Sequence, residues 1–173
     1  ILKNDNKINV IKLSDKDIFF YLDTRNQVIN TKNSISKKKI TVLDHFIWWF
    51  KNDNMKAYVV KKNNKKLFIL TEVYYKIKNI NIVIPGLMTC SQEHSIVDLL
   101  WSIRWQKKNI DKSKKKLLCA ISVPRNNFFS NRQAKYFGFQ KLDKNDKHFK
   151  ILRKFFNYKK RLNYYFRLIN EKI

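Results

Sequence analysis

Residues 117–142 read LLCAISVPRNNFFSNRQAKYFGFQKL, and the order of their apolar run, proline, asparagine and glycine decides the fold. Leu117 to Val123 is dense in apolar and β-branched residues, which predicts a strand. Pro124 ends it. A helix follows over about 130–137 and is closed by Gly138, the favoured residue beyond a helix end because it tolerates positive φ. Phe139 to Leu142 returns to strand. Strand, helix and strand in so short a stretch place the chain in the α/β (α+β) class.

Upstream, Ile96, Leu99, Leu100 and Ile103 recur at helical spacing and predict a helix running to about Lys108. Before it, 57–60, 66–75 and 77–84 read as three strands of an antiparallel meander separated by Lys/Asn turns, with Pro85-Gly86 breaking the third. Thr41 starts a helix carrying Leu43, Phe46, Ile47 and Phe50, and Asn52-Asp53-Asn54 stops it. Ser14, Asp15 and Asp17 start another, which ends near Arg25-Asn26 and is followed by a polar loop over 30–36. Residues 8–13 form the first strand.

Downstream the reading divides: 148–156 suits a strand pairing with 139–142, while Leu152, Phe155, Phe156, Leu162, Phe166 and Ile169 also follow helical spacing. A short strand over 148–156 followed by a basic amphipathic helix over 158–173 is favoured. The predicted organisation is one domain over 1–157 and that helical extension over 158–173. The extension suits peripheral contact with an anionic membrane or, as the alternative, a cover over the sheet.

The chain has 173 residues, 38 Lys and Arg against 13 Asp and Glu, and a formal net charge of +25. An apolar fraction of 44% supplies a packed core, which excludes a wholly disordered basic tail. No apolar stretch approaches the roughly 18 residues that read as a membrane span. The surplus charge attracts polyanions, nucleic acid among them. Lysine blocks such as Lys37-Lys38-Lys39 and Lys114-Lys115-Lys116 also suit solvated connections between apolar segments. Cys90 and Cys119 do not make a secreted disulfide framework, so reduced thiols and a cytoplasmic location are expected. His45, His94 and His148 match no zinc spacing, and no metal is expected. With Ile1 in place of Met, a processed product or a fragment of something longer is the expectation.

The order strand, helix, helix, meander, helix, strand, helix, strand, together with Asn127-Phe128-Phe129-Ser130 and Phe137-Gly138-Phe139, resembles the GNAT superfamily of N-acyltransferases. In that family an Asn begins the turn after the fifth strand and a Gly-Phe closes the next helix. Arg25-Asn26 and Asp44-His45 with Trp48 are similar to the members that acetylate amino-sugar nucleotides for surface polysaccharides. The resemblance implies a mostly antiparallel mixed sheet flanked by helices. It also implies acetyl-CoA as co-substrate and a small-molecule amine acceptor, such as a nucleotide sugar.

The implied sites follow residue by residue. The backbone of Ile82, Val83 and Ile84 would pair with the pantetheine arm, while Ser91, Gln92 and Ser95, with the helix they precede, would hold the pyrophosphate. Asn127 and Ser130 would complete the cofactor side. Arg25, Asn26, His45 and Trp48 would lie on the acceptor side, with packing roles as the alternative for His45 and Trp48. Glu72 is the candidate base that deprotonates an ammonium, its alternative being an exposed strand residue.

Two departures stand beside these matches. The stretch Met88-Thr89-Cys90-Ser91-Gln92-Glu93-His94-Ser95-Ile96 lacks the glycines of the family's pyrophosphate loop, and Glu93 adds a negative charge. The position of the family's tyrosine acid, seven residues after the motif Asn, holds Ala134, and Tyr136 lies about 200° further round the helix. Two alternatives to acyl transfer therefore stand: a non-catalytic GNAT-fold binding domain, and a basic nucleic-acid-binding protein.

Overall fold

The computed structural model describes residues 7–34, 37–77, 79–113, 115–143, 145–146, 148–156 and 161–170. In chain order these form β1 (Ile8–Lys12), α1 (Ile18–Asn26), α2 (Val28–Asn33), α3 (Val42–Lys51), β2 (Met55–Lys62), β3 (Lys65–Ile77), β4 (Ile80–Thr89), α4 (Ile96–Asp111), β5 (Leu117–Pro124), α5 (Phe128–Tyr136), β6 (Gln140–Lys141), α6 (Phe149–Phe155) and β7 (Leu162–Ile169). The strands make one seven-stranded sheet in the order β1-β2-β3-β4-β5-β7-β6. The pairs β1–β2, β2–β3, β5–β7 and β6–β7 are antiparallel and β4–β5 is parallel. The expected mixed, mostly antiparallel sheet flanked by helices is thus present.

The chain divides into two compact units, Ile1–Val73 with Gly86–Gln106, and Tyr74–Pro85 with Lys107–Ile173. In the first, Asn63 and Asn64 take φ of 49° and 63° between β2 and β3. Two successive left-handed residues give the twist a tight hairpin needs, and asparagine tolerates that conformation better than other non-glycine residues. From Phe68 onward β3 alternates between two covered faces. Phe68 and Leu70 pack with Val60, Leu99 and Trp105, whereas Ile69 packs with Ala57, Val59, Tyr21, Trp48 and Trp49. Each such apolar side chain contributes roughly 1.5–3 kcal/mol when fully buried.

In the second unit β5 is the central strand. Leu118 and Ala120 meet Ile82, Phe166 and Leu152 of α6, while Leu117 and Cys119 meet Val83, Ile110 and Ile169. Val123 packs with Ala134 of α5 and Tyr165 of β7. Gly138 has φ of 78°, the left-handed turn expected of it after α5.

Four expectations are corrected. The predicted loop at 30–36 begins inside α2, where Asn30 and Thr31 are buried. Pro85-Gly86 does not end the third meander strand, because β4 continues to Thr89. Residues 148–156 contain the helix α6 rather than a strand, started by Asp146, whose Oδ1 accepts from the His148 amide at 2.7 Å and whose carbonyl accepts from the Phe149 amide at 2.9 Å.

The fourth concerns the C-terminal helix at 158–173. Leu162–Ile169 of it form β7, fully paired with β5, while 158–160 and 171–173 lie outside the described residues. Tyr164, Tyr165 and Phe166 are all buried, so both faces of β7 are covered and no polar alternation betrays the strand. Leu162, Phe166 and Ile169 fit a helical spacing by coincidence. Arg167, counted toward a basic helix face, instead pairs with Asp111 at 2.8 Å. The membrane contact expected of that helix loses its structural basis.

Candidate functional site

Pairing between β4 and β5 is confined to Asn81–Leu117, Ile82–Leu118 and Val83–Cys119. Beyond Cys119, β5 continues to Pro124 with β7 as its partner. Ile82 and Val83, expected to offer a free backbone edge, lie in the paired stretch and are fully buried, whereas Ile84 lies past the last pair. Two residues later comes a close approach: a Cβ on Gly86 would collide with Thr71 Oγ1. Gln106 Nε2 donates to the carbonyls of Thr71 at 2.9 Å and Gly86 at 3.3 Å.

Further along β4 the edge is capped by a side chain. Asn30 Nδ2 donates to the Thr89 carbonyl at 2.8 Å, and the Thr89 amide donates back to Asn30 Oδ1 at 2.9 Å. The carboxamide thus copies a strand neighbour. On the opposite edge, the Cys90 amide donates to the Leu67 carbonyl of β3 at 2.8 Å. Strand alternation then directs the Leu87 amide and carbonyl to the same edge as those of Thr89.

The loop into α4 is knit by its own polar groups. Lys65 Nζ lies 2.6 Å from Glu93, holding that exposed carboxyl below its usual range through a hydrogen bond and charge. The negative charge noted in the loop is thereby matched. The Glu93 amide donates to Ser91 Oγ at 3.1 Å, and His94 Nδ1 lies 2.7 Å from the Ser91 carbonyl. Gln92 is exposed.

At the start of α4, Ser95 and Asp98 cap each other. The Ser95 amide donates to Asp98 Oδ2 at 3.0 Å and the Asp98 amide donates to Ser95 Oγ at 3.1 Å. Burial opposes ionisation of Asp98, yet the bonds from Ser95 and the Lys62 ammonium at 2.9 Å outweigh it and hold the carboxyl below its usual range. The cap takes the Ser95 amide and the first-turn amide of Asp98 and leaves those of Ile96 and Val97, whose side chains are exposed, outside it.

In the other unit, Asn127 Oδ1 accepts from the Ser130 amide at 3.0 Å and so caps α5. The two residues expected on the cofactor side are therefore joined to one another. Ala134, in place of the family's tyrosine, is buried, and Tyr136 is 63% exposed.

Sequence reasoning missed Asn131. Its Nδ2 donates to the carbonyls of Pro124 at 2.9 Å and Asn127 at 2.6 Å, and its Oδ1 accepts from Asn163 Nδ2 at 2.8 Å and the Tyr165 hydroxyl at 2.7 Å. Asn163 and Tyr165 are two apart on β7, hence on one face, a signal hidden by the helical reading of that segment.

The acceptor-side residues share the first unit but divide in role. Asn26 Nδ2 donates to the Ile40 carbonyl and the Ile40 amide donates to Asn26 Oδ1, each at 2.8 Å, so this side chain fastens the end of α1 to the approach of α3. His45 is fully buried, its Nε2 3.2 Å from the Ile18 carbonyl, stacked on Tyr21 and Trp48 at ring distances of 5.4 and 5.6 Å. Desolvation lowers its pKa against the opposing pull of that carbonyl. With Nε2 donating, His45 Nδ1 is buried without a hydrogen-bond partner. Trp48 is half-buried in the same cluster, which agrees with the packing alternative, and Arg25 is half-buried at the end of α1.

Glu72 corrects its exposed alternative, being fully buried. Alternation along β3 places it on the face of Phe68 and Leu70, whereas the cluster containing Trp48 covers the face of Ile69. The candidate base and the candidate acceptor residues therefore lie on opposite faces. Cys90 is also set aside as a nucleophile. Burial pushes its thiol up to about 11, against a hydrogen bond with Thr24 and the charge of Lys66.

No protein-family model matches this sequence, and no curated protein sequence does either. Solved structures do match in fold. yncA from Salmonella typhimurium, a putative acetyltransferase solved with its cofactor acetyl-CoA, superposes with a TM-score of 0.66 at 10% identity, over 96% of each chain. The apo form of FdhC, a nucleotide-linked sugar GNAT, matches with a TM-score of 0.64 at 14% identity, over 94% of this chain and 86% of its own. An N-acetyltransferase from Staphylococcus aureus Mu50 matches with a TM-score of 0.63 at 14% identity, over 93% and 98%. The fold is therefore that of GNAT acetyltransferases.

Proposed function

We propose that the chain is an N-acetyltransferase that moves the acetyl group of acetyl-CoA to an amine, with an amino-sugar nucleotide as acceptor. The observation that carries this reading is the short β4–β5 pairing, which ends at Val83 and Cys119 although both strands run on. Acetyl-CoA supplies an activated acyl thioester. On β4, the Leu87 amide is the donor positioned for its carbonyl or pantetheine amides. The Ile96 and Val97 amides, at the positive end of α4, suit the pyrophosphate, joined by Ser91, Gln92 and Ser95 around the loop. The sequence lacks the family's loop glycines, so these amides and side chains take over that task. Asn127 and Ser130 contribute by fixing the start of α5.

The reaction is direct attack. The lone pair of the neutral amine adds to the thioester carbonyl carbon, the C–S bond breaks, and the thiolate leaves with the electron pair. The amine nitrogen loses its proton to solvent water, because the buried Glu72 lies on the sheet face opposite the acceptor-side residues. Arg25 and Trp48 remain the half-buried candidates for acceptor contact, while Asn26 and His45 shape the wall behind them.

Calorimetric titration with acetyl-CoA tests the donor, and release of free thiol with a panel of nucleotide-linked amino sugars tests the acceptor. Binding with turnover is expected. Binding without turnover on any amine selects the non-catalytic alternative. Absent heat together with RNA affinity that falls steeply between about 50 and 200 mM salt selects the nucleic-acid alternative.

A further inference from the structure

Helix α3 buries one face and leaves an apolar one in water. His45 is buried and Trp48 and Trp49 are half-buried on the inner side, whereas Val42, Leu43, Ile47 and Phe50 are exposed, Leu43 by 69% and Phe50 by 59%. At 100° per residue, Val42, Phe46, Phe50, Leu43 and Ile47 span an arc of about 140° on the outer side. Phe19 of α1, also exposed, widens this arc through an edge-to-face contact with Phe46 at 5.3 Å. An amphipathic surface helix ordinarily turns polar residues outward, so this apolar arc marks a contact surface.

Charge at its border favours an anionic occupant, since exposed Lys37, Lys38, Lys39 and Lys51 outnumber the exposed Asp23 and Asp53 beside it. Lys37, Lys38 and Lys39 are exposed and lead directly into α3, and Lys51 closes it. The Asn26 clasp on Ile40 holds the end of that lysine run beside the first turn of the helix. Asp44, the acid on α3, accepts from the Thr41 hydroxyl at 2.7 Å within the helix cap. A twofold contact between two copies of this face would crowd their lysine runs together, which like-charge repulsion opposes. An apolar face with lysines at its edge instead matches an anionic bilayer, where the side chains enter the acyl boundary and the ammonium groups meet the headgroups.

We propose that α3, with Phe19 and the Lys37–Lys39 run, is a peripheral docking surface for anionic lipid membranes. The surface stands independently of the acetyl-transfer reading. The test is co-sedimentation of the full chain with vesicles of phosphatidylcholine and phosphatidylserine at 7:3, against phosphatidylcholine alone, at about 150 mM salt. Binding to the anionic vesicles is expected. The triple variant K37Q/K38Q/K39Q lowers it by roughly tenfold or more. The double variant Leu43→Glu with Ile47→Glu abolishes it without changing the melting temperature, since both side chains are exposed. Absence of binding overturns the proposal, as does equal binding by the glutamate variant, which would show charge alone at work. A dimer in light scattering that dissolves in the glutamate variant would assign the face to a second copy and overturn it as well.

Discussion

Asn131 joins three elements through one carboxamide, and its loss should be felt well beyond α5. Asn131→Ala removes the acceptor for Asn163 and the Tyr165 hydroxyl and the donor to two carbonyls. Leaving such part-buried groups without partners costs about 1–2 kcal/mol, which a urea titration would register as a lower midpoint at unchanged slope. His45 supplies a second expectation. Because its folded pKa is lowered below 6.5, the unfolded chain binds more protons at mildly acid pH, and stability falls as pH drops below about 6.5. Melting temperatures from pH 7.5 to 5.5 should show this loss in the wild type and not in His45→Gln. At this scale the sequence disclosed what is local. Asn127 and Gly138 are readable because a cap and a helix end are set by a few neighbouring residues. The Asn131 cluster is not, since its partners sit on a strand far along the chain.

Among the elements, β4 carries the most constraint. A methyl group on Gly86 collides with Thr71 Oγ1 on the neighbouring β-branched side chain, which turns with difficulty. Gly86→Ala should destabilise the protein by about 1–3 kcal/mol, and Thr71→Ala in the same chain should restore part of that loss in the same unfolding assay. Full recovery is not expected, because Thr71 itself packs in the interior. The outline of α1, α3, α4 and the β2–β3 hairpin was legible because their caps, periodicities and Asn turns are local signals. The exchange of helix for strand at β7, and of strand for helix at α6, has one cause. Where a segment is buried on two faces or is short, the two periods stop being distinguishable, and long-range pairing with β5 decides.

For the whole molecule, the succession of elements from β2 to β6 was legible, whereas α2, α6 and β7 were not, and the matching solved structures share the fold at 10–14% identity. Identity at that level carries the fold and leaves the chemistry to the residues present. The net charge of +25 adds attraction for any polyanion, so salt dependence alone does not separate coenzyme A from RNA. Position does. Amide hydrogen exchange with and without acetyl-CoA reads the β4 edge and the α4 tip directly. Saturating acetyl-CoA should slow exchange at Leu87, Ile96 and Val97, and Ile96→Pro, which removes one donor at a position where helices tolerate proline, should weaken binding by roughly tenfold. Unchanged exchange at all three amides in the presence of bound acetyl-CoA, or no binding at millimolar concentration, would contradict the account.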